Sequence, residues 1–577
     1  MNSRIWPSWS LTILIIAIIC ISSSNARPFN SRSISLDERY GINNELSSCL
    51  TNKKVDFVDA LRNNSHIYFE ASQGDNMRFH WHPVAIIFPA NTQQVSDAVN
   101  CASKSGNIQT VARSGGHAFT GYSSGGQDGA MIVDFRKMNK IQPDSKNALV
   151  HIEPAARLGD VAKDLWADNQ MAMPHGTCPT VGVGGHSLCG GVGPTSRFWG
   201  MATDNIVEVE IVLADGSIVH VSQHENPDLF WAVRGAGVYY GLVTKFTFST
   251  YKVNHPTTFM RYKWSESIKT PDDAVKLMHA IQDFGKHPDL PSSIGFHVQV
   301  SPTESAGASE GMITLQLRGM YLGSKDAYLD IVGPKLFEAL EAVGLPIKGD
   351  SFNEDEMSYL DLMKEWDDFG SPTDKLDTQL ERKRRNNFVA RTSLGMSQKG
   401  FSDEGFRTIL NEVWQRQVDE KKGSFKAHST TDQDFWIWNI YFELFGGVHN
   451  RMRDAEILAK SSFSHRDALW LMQSSVGGFE KKSLVHEAYA MVHKIDSAIH
   501  KALQDDNLEK MGYSCYADPT LQDWKHLYYG KSVDKMTDLK RKYDPKNLFR
   551  NPQSLIETPR ELVSGLKQWI LSPHPLP

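Results

Sequence analysis

The chain is poor in cysteine and carries little surplus charge. Six cysteines among 577 residues are too few for a disulfide scaffold. A net charge of −6, with 22% charged residues, leaves no basic surface of the kind a nucleic-acid partner requires. The one basic run, Arg382-Lys383-Arg384-Arg385, lies beside acidic residues and two asparagines and reads as a solvated loop. Repeats and low-complexity segments are missing, which excludes a repeat architecture. So is a long apolar run: LTILIIAIICI, Leu11 to Ile21, falls short of the roughly 20 residues of a membrane span. With Arg4 before it and Ser24-Asn25-Ala26 after it, it predicts a secretory signal over 1–26, cleaved near Ala26. The mature chain is then expected to be secreted and extracellular, with no membrane segment.

What is present is an ordinary globular composition, 40% hydrophobic, in a chain long enough for a large core and more than one domain. Secretion changes the cysteine arithmetic, because Cys20 leaves with the signal and an odd number remains. Cys49 and Cys101 flank a segment of ordinary composition and are expected to pair. Cys178, Cys189 and Cys515 then need an explanation, either as buried inert thiols or as chemically committed ones. Asn63, in Asn63-Asn64-Ser65, is a usable glycosylation site in a secreted chain.

From about Pro83 to Tyr251, short β-rich runs alternate with helical ones. Ala85–Pro89, Ala130–Phe135, Ala148–Pro154 and Ile206–Ser222 read as strands, the last turning at Asp215-Gly216, a strong hairpin signal. Thr92–Gly106 and Leu158–Gln170 read as helices. From Tyr262 to His500, longer strands such as His297–Ser301 and Met312–Gly323 mix with long helices. The fold class is α+β, in two parts.

Two glycine-rich stretches carry the chemistry. RSGGHAFTGYSSGG, Arg113 to Gly126, follows a strand-like run, and its glycines let backbone N–H groups close on a ligand. It matches neither the Rossmann fingerprint nor a P-loop, and alone it reads as a turn. GTCPTVGVGGHSLCGG, Gly176 to Gly191, repeats the Gly-Gly-His feature. With His175 in front it also contains His-x-x-Cys twice, at His175/Cys178 and His186/Cys189. That spacing is off-pattern for zinc, and a Cys178–Cys189 disulfide is a further alternative.

Both loops resemble those of the vanillyl-alcohol-oxidase/PCMH flavoproteins, in particular the berberine-bridge-enzyme-like branch and, within it, the secreted fungal oligosaccharide oxidases. The resemblance covers Trp81 to about Thr250 strongly, then Trp436–Gly447 and Tyr513–Gln553. It implies a PCMH-type FAD-binding domain over 27–252, a substrate-binding α+β domain with an antiparallel sheet over 253–508, and a C-terminal segment, 509–577, returning to the FAD domain. It implies FAD bonded at two points: His117, of R-S-G-G-H, to the 8α-methyl, and Cys178, of H-G-x-C-P-x-V-G, to C6. Arg113, Ser114, Gly115, Gly116, Gly182, Gly184, Gly185, His186 and, in GLVTKFTF, Val243 are the further cofactor-binding residues expected. Val181 sits where the branch sets oxygen access, and a small residue there suggests an oxidase.

WIWNIYFELFGG, Trp436 to Gly447, places Asn439, Tyr441 and Glu443 on one face of a strand and Ile440, Phe442 and Leu444 on the other. Glu443 matches an acidic residue three before the Gly-Gly of the oligosaccharide oxidases. Tyr441 departs from their substrate-binding Gln, and with Asn439 it is expected to touch substrate. YSCYAD, Tyr513 to Asp518, resembles the branch's Y-x-N-Y, with Cys515 for Asn. Tyr513 or Tyr516 is the expected base, and either needs a neighbour to handle its proton near neutral pH. The implied reaction oxidises the anomeric hydroxyl of a sugar or oligosaccharide to a lactone, with O2 reduced to H2O2, in a monomer without a metal site. An FAD-linked oxidation of an alkaloid or aromatic alcohol is the alternative.

Overall fold

The computed structural model describes residues 42–60, 65–303, 313–366, 375–378, 387–421, 437–479 and 485–557. The expected signal, Asn63 and the run Arg382–Arg385 lie outside these residues. In the first half, Ala85–Ile87, Met131–Asp134 and Thr110–Arg113 pair in parallel, with Phe57–Val58 added antiparallel. Parallel neighbours need a crossover, and helix Thr92–Lys104 supplies one. Asn91 caps it by accepting from the Gln94 N–H, and Val95, Ala98, Val99 and Ala102 form its buried stripe. A disulfide between Cys49 and Cys101 ties it to helix Asn44–Asn52.

A second, five-stranded antiparallel sheet runs in the order Ile141–Asp144, Leu149–Ile152, Leu242–Ser249, Ile206–Val212, Ile218–Ser222. Its last pair is the expected hairpin, tightened by the Asp215 carboxylate accepting from the Ser217 N–H at 2.9 Å.

The second half is an eight-stranded antiparallel sheet. Its strands are β1 (Thr257–Trp264), β2 (Ile294–Pro302), β3 (Ile313–Tyr321), β4 (Ser351–Met357), β5 (Asn387–Met396), β6 (Ile437–Leu444), β7 (Trp470–Phe479) and β8 (Glu509–Met511). Their order is β4-β1-β3-β2-β6-β7-β5-β8. Helices Pro271–Lys286, Asp403–Lys421 and Val485–Asp505 pack on one face, where Ile440, Phe442 and Leu444 join the core. The pleat sends Asn439, Tyr441 and Glu443 to the other face. Register puts Tyr441 opposite Gln299 on β2 and Gln473 on β7, and Glu443 opposite His297 and Leu471.

Two buried arginines fasten that face to the first half. Arg197 donates to the carbonyls of Gly446, Ile294 and Val448 at 2.9, 2.6 and 3.0 Å. Arg466 forks onto Asp204 at 2.8 and 2.6 Å, both side chains almost wholly buried. At the C-terminus, Lys540 donates to Asp544 and to the Tyr239 and Phe549 carbonyls, each at 2.7 Å, and so draws helix Val533–Tyr543 back onto the first half.

A buried ion pair adds little over an apolar pair, but losing one partner strands the other. Asp204→Ala is therefore expected to destabilise the chain by about 3–5 kcal/mol, read from the denaturant midpoint. A loss below about 1 kcal/mol would show that Arg466 finds other partners.

Candidate active site

The loops after Arg113 and after His175 meet at their backbones. A Cβ built on Gly182 would lie 2.0 Å from Ser114 Oγ and 2.3 Å from the Gly115 nitrogen, and one on Gly115 would lie 2.3 Å from the Gly182 nitrogen. Only glycine permits this approach. Ser114 Oγ donates to the Pro154 carbonyl at 2.5 Å. Arg157 Nη1 donates to the carbonyls of Gly115 (2.8 Å) and Thr180 (2.6 Å), clamping one loop to the other. A Cβ on Gly185, by contrast, would meet nothing within 4 Å: its backbone faces an open cavity of about 780 Å³.

That cavity runs between the loops and the polar face of the eight-stranded sheet. Ser114, Gly115, Gly116, His117, Cys178, Val181, Gly182, Gly184, Gly185, His186 and Val243 line it from the first half, Asn439, Tyr441 and Glu443 from the sheet, and Tyr516, stacked on Phe119, lines it beside the first loop. Arg113 does not line it. Its guanidinium works behind the loop, pairing with Asp134 at 2.6 Å and donating to the Ala71 carbonyl. The sequence pattern alone could not separate this role from cofactor contact. His186 is half-buried where it lines the cavity, and desolvation by the surrounding protein pushes its pKa down to about 3. Its Nε2 accepts from the Gly176 N–H at 3.0 Å, a brace across the second loop.

His117 and Cys178 come together on one hydroxyl. Thr180 Oγ1 stands 3.0 Å from His117 Nε2 and 3.4 Å from Cys178 Sγ, and His117 Nδ1 lies 3.5 Å from Asp75 Oδ2. Cys178 is the one cysteine outside a disulfide among the described residues. It does not pair with Cys189, which is bonded to Cys515. No group of three or more His, Cys, Asp or Glu among the described residues is arranged to hold a metal. The Cys189–Cys515 link escaped sequence reading because 326 positions separate its ends. It ties the tyrosine segment to the helix Val183–Cys189 that follows the second loop.

The two tyrosines have different surroundings. The Tyr513 hydroxyl accepts from the Gly191 and Val192 N–H groups at 3.0 and 3.1 Å and is not among the cavity-lining residues. Tyr516 lines the cavity, stacks on Phe119 at 4.7 Å and meets the Tyr513 ring edge-on at 5.1 Å. Burial, and after it the neighbouring Tyr513 and Glu443, push the Tyr516 pKa well above the usual 10. Glu443 is pushed up to about 7 by burial. His297, edge-on to Tyr441 and Trp366, is held neutral by burial, its pKa down to about 3. Sequence motifs missed His297, Trp366, Gln473, Ser475 and Phe388, all on the cavity wall. Periodicity along β6 was the only available signal, and it cannot name cross-strand neighbours.

The donor set and the cradle fit FAD. Two loops present bare backbone toward the cavity, and an imidazole and a thiol are aimed at one place. Gly182→Ala is expected to force the loops apart and leave a chain that folds but retains little flavin. Flavin absorbance per chain, against the circular-dichroism spectrum, checks this.

Comparison with known proteins agrees with the geometry. The family described as FAD binding domain matches residues 83–222, and that described as berberine and berberine like matches residues 512–556. The chitooligosaccharide oxidase of Gibberella zeae is 29% identical over 514 residues, 88% of this chain and 94% of that protein. The structure of the xylooligosaccharide oxidase from Myceliophthora thermophila with xylobiose superposes with a TM-score of 0.76 at 26% identity, over 89% of this chain and 100% of that one. The Acremonium strictum glucooligosaccharide oxidase, described with a 6-S-cysteinyl, 8α-N1-histidyl FAD, superposes with a TM-score of 0.74 at 25% identity, over 89% and 99% of the two chains. Both matched segments border this cavity, and the chain is similar to an FAD binding domain over 83–222, to berberine-like proteins over 512–556, and over most of its length to sugar oxidases.

Proposed function

We propose that this chain is a secreted sugar or oligosaccharide oxidase, converting an anomeric hydroxyl to a lactone while O2 becomes H2O2. FAD is held at two points, by His117 and Cys178, between an FAD-binding part formed by 27–252 with 509–577 and a substrate part, 253–508. One observation carries the reading: Glu443, on the sheet, and Tyr516, stacked on Phe119 of the first loop, line the same cavity as His117 and Cys178. Names of the similar proteins support the substrate class.

Bound there, FAD supplies hydride acceptance and the passage of two electrons to dioxygen. The chain supplies orientation and proton transfer. Tyr516, its pKa raised by burial, is protonated at neutral pH and becomes a base only by giving its proton away. Glu443 is the group to receive it, since above pH 7 it is mostly carboxylate. Tyr516 takes the proton of the substrate hydroxyl in the same step in which it passes its own to Glu443. Tyr513, its hydroxyl held by two backbone N–H groups, supports the ring of Tyr516. Tyr441 and Asn439, with Gln473 opposite Tyr441, offer hydrogen bonds to sugar hydroxyls.

The aromatic wall of Phe119, Phe388 and Trp366 favours the second reading, an aromatic alcohol or alkaloid. The purified protein is expected to be yellow and to keep its flavin through acid precipitation. Peroxide release across a panel of sugars and a panel of aromatic alcohols separates the readings: turnover of sugars supports the first, and turnover of aromatic alcohols alone overturns it.

Glu443 adds a pH dependence. The rate is expected to rise as pH passes about 7, and Glu443→Gln to abolish that limb and lower kcat by about 10²- to 10⁴-fold. Stability moves the other way. A carboxyl whose pKa rises on folding costs nothing while protonated in both states; the penalty grows as pH climbs from the unfolded value of about 4.3 to the folded value and is complete above it. Glu443→Gln should therefore raise Tm above pH 7 and leave it unchanged at pH 4.

A further inference from the structure

Thr180 lies two residues beyond Cys178, and its side chain belongs to neither attachment motif. Its hydroxyl nevertheless meets both attachment residues, at 3.4 Å from the thiol and 3.0 Å from the imidazole. Its backbone is fixed independently, because Arg157 joins the Thr180 carbonyl to that of Gly115 in the opposite loop. The far side of the imidazole faces Asp75. A hydroxyl donates and accepts at once, so it serves a thiol and an imidazole together, while a methyl in its place serves neither.

We propose that Thr180 is the positioning residue for covalent attachment of the cofactor. Its hydroxyl aims Cys178 and His117, which come from different loops, at one edge of the ring system and passes the thiol proton toward the imidazole. The proposal rests on the two-link reading above. In each link, a bond from sulfur or nitrogen to a cofactor carbon forms as an S–H or N–H bond and a C–H bond break. The two protons and two electrons released go to dioxygen as hydrogen peroxide.

The test compares purified wild-type, Thr180→Val and Thr180→Ser holoprotein. Peptide mass spectrometry counts chains carrying flavin at both His117 and Cys178, and absorbance before acid counts total FAD per chain. In Thr180→Val the doubly linked fraction is expected to fall about tenfold, as lost orientation predicts, with total FAD unchanged; Thr180→Ser is expected to stay near wild type. A structural role alone would lower total FAD and linked FAD together. Wild-type levels of double linkage in Thr180→Val, or a Thr180→Ser variant as poor as Thr180→Val, overturn the proposal. If Thr180→Val is not recovered folded, Thr180→Ala carries the same readout. A wild-type chain that binds FAD but releases all of it to acid overturns the two-link reading instead.

Discussion

The contact of two backbones at Gly115 and Gly182 is the constraint on which the site depends. No side chain fits between the loops there. Because the loops touch, one guanidinium, that of Arg157, reaches carbonyls on both, and one hydroxyl, that of Thr180, reaches side chains from both. Each loop is in turn anchored from behind. Arg113 ties the first to Asp134 on the neighbouring strand, and His186 braces the second through the Gly176 N–H. Glycine is costly in conformational entropy, and here that cost is met by rigid neighbours rather than by the loops themselves.

The opposite wall faces a different problem. A sheet that buries one face under helices must leave its other face polar if substrate is to lie on it, and the pleat does this residue by residue along β6. That face is then closed against the first half by arginines whose donors are satisfied by carbonyls and by one carboxylate. Glu443 lies half-buried on that face, and lost solvation lifts its pKa.

The tyrosine segment shows how an altered motif is accommodated. Cys515 stands where the similar branch has asparagine, and it is bonded to Cys189. Tyr513 is held by N–H groups of the same Gly190–Val192 turn, and Tyr516 rests on Phe119 of the first loop. The segment is therefore attached to both cofactor loops. A single change of residue type in YSCYAD signalled the departure but not its partner.

Much was legible in the chain itself. The two glycine loops, the hairpin at Asp215-Gly216, the helix over Thr92–Lys104 and the polar face of β6 all depend on local rules: φ freedom, turn chemistry, capping and the two periodicities. Those rules act within a few residues, so a linear reading captures them. Other features rest on contacts between residues far apart in sequence: the role of Arg113 behind its loop, the clamp at Arg157, the pairing of Cys189 with Cys515, Gln473 facing Tyr441, and the difference between Tyr513 and Tyr516. Sequence alone determined which residues were able to do chemistry. Tertiary structure decided which of them face the cavity, because burial, register and hydrogen-bond partners exist only once distant segments have packed.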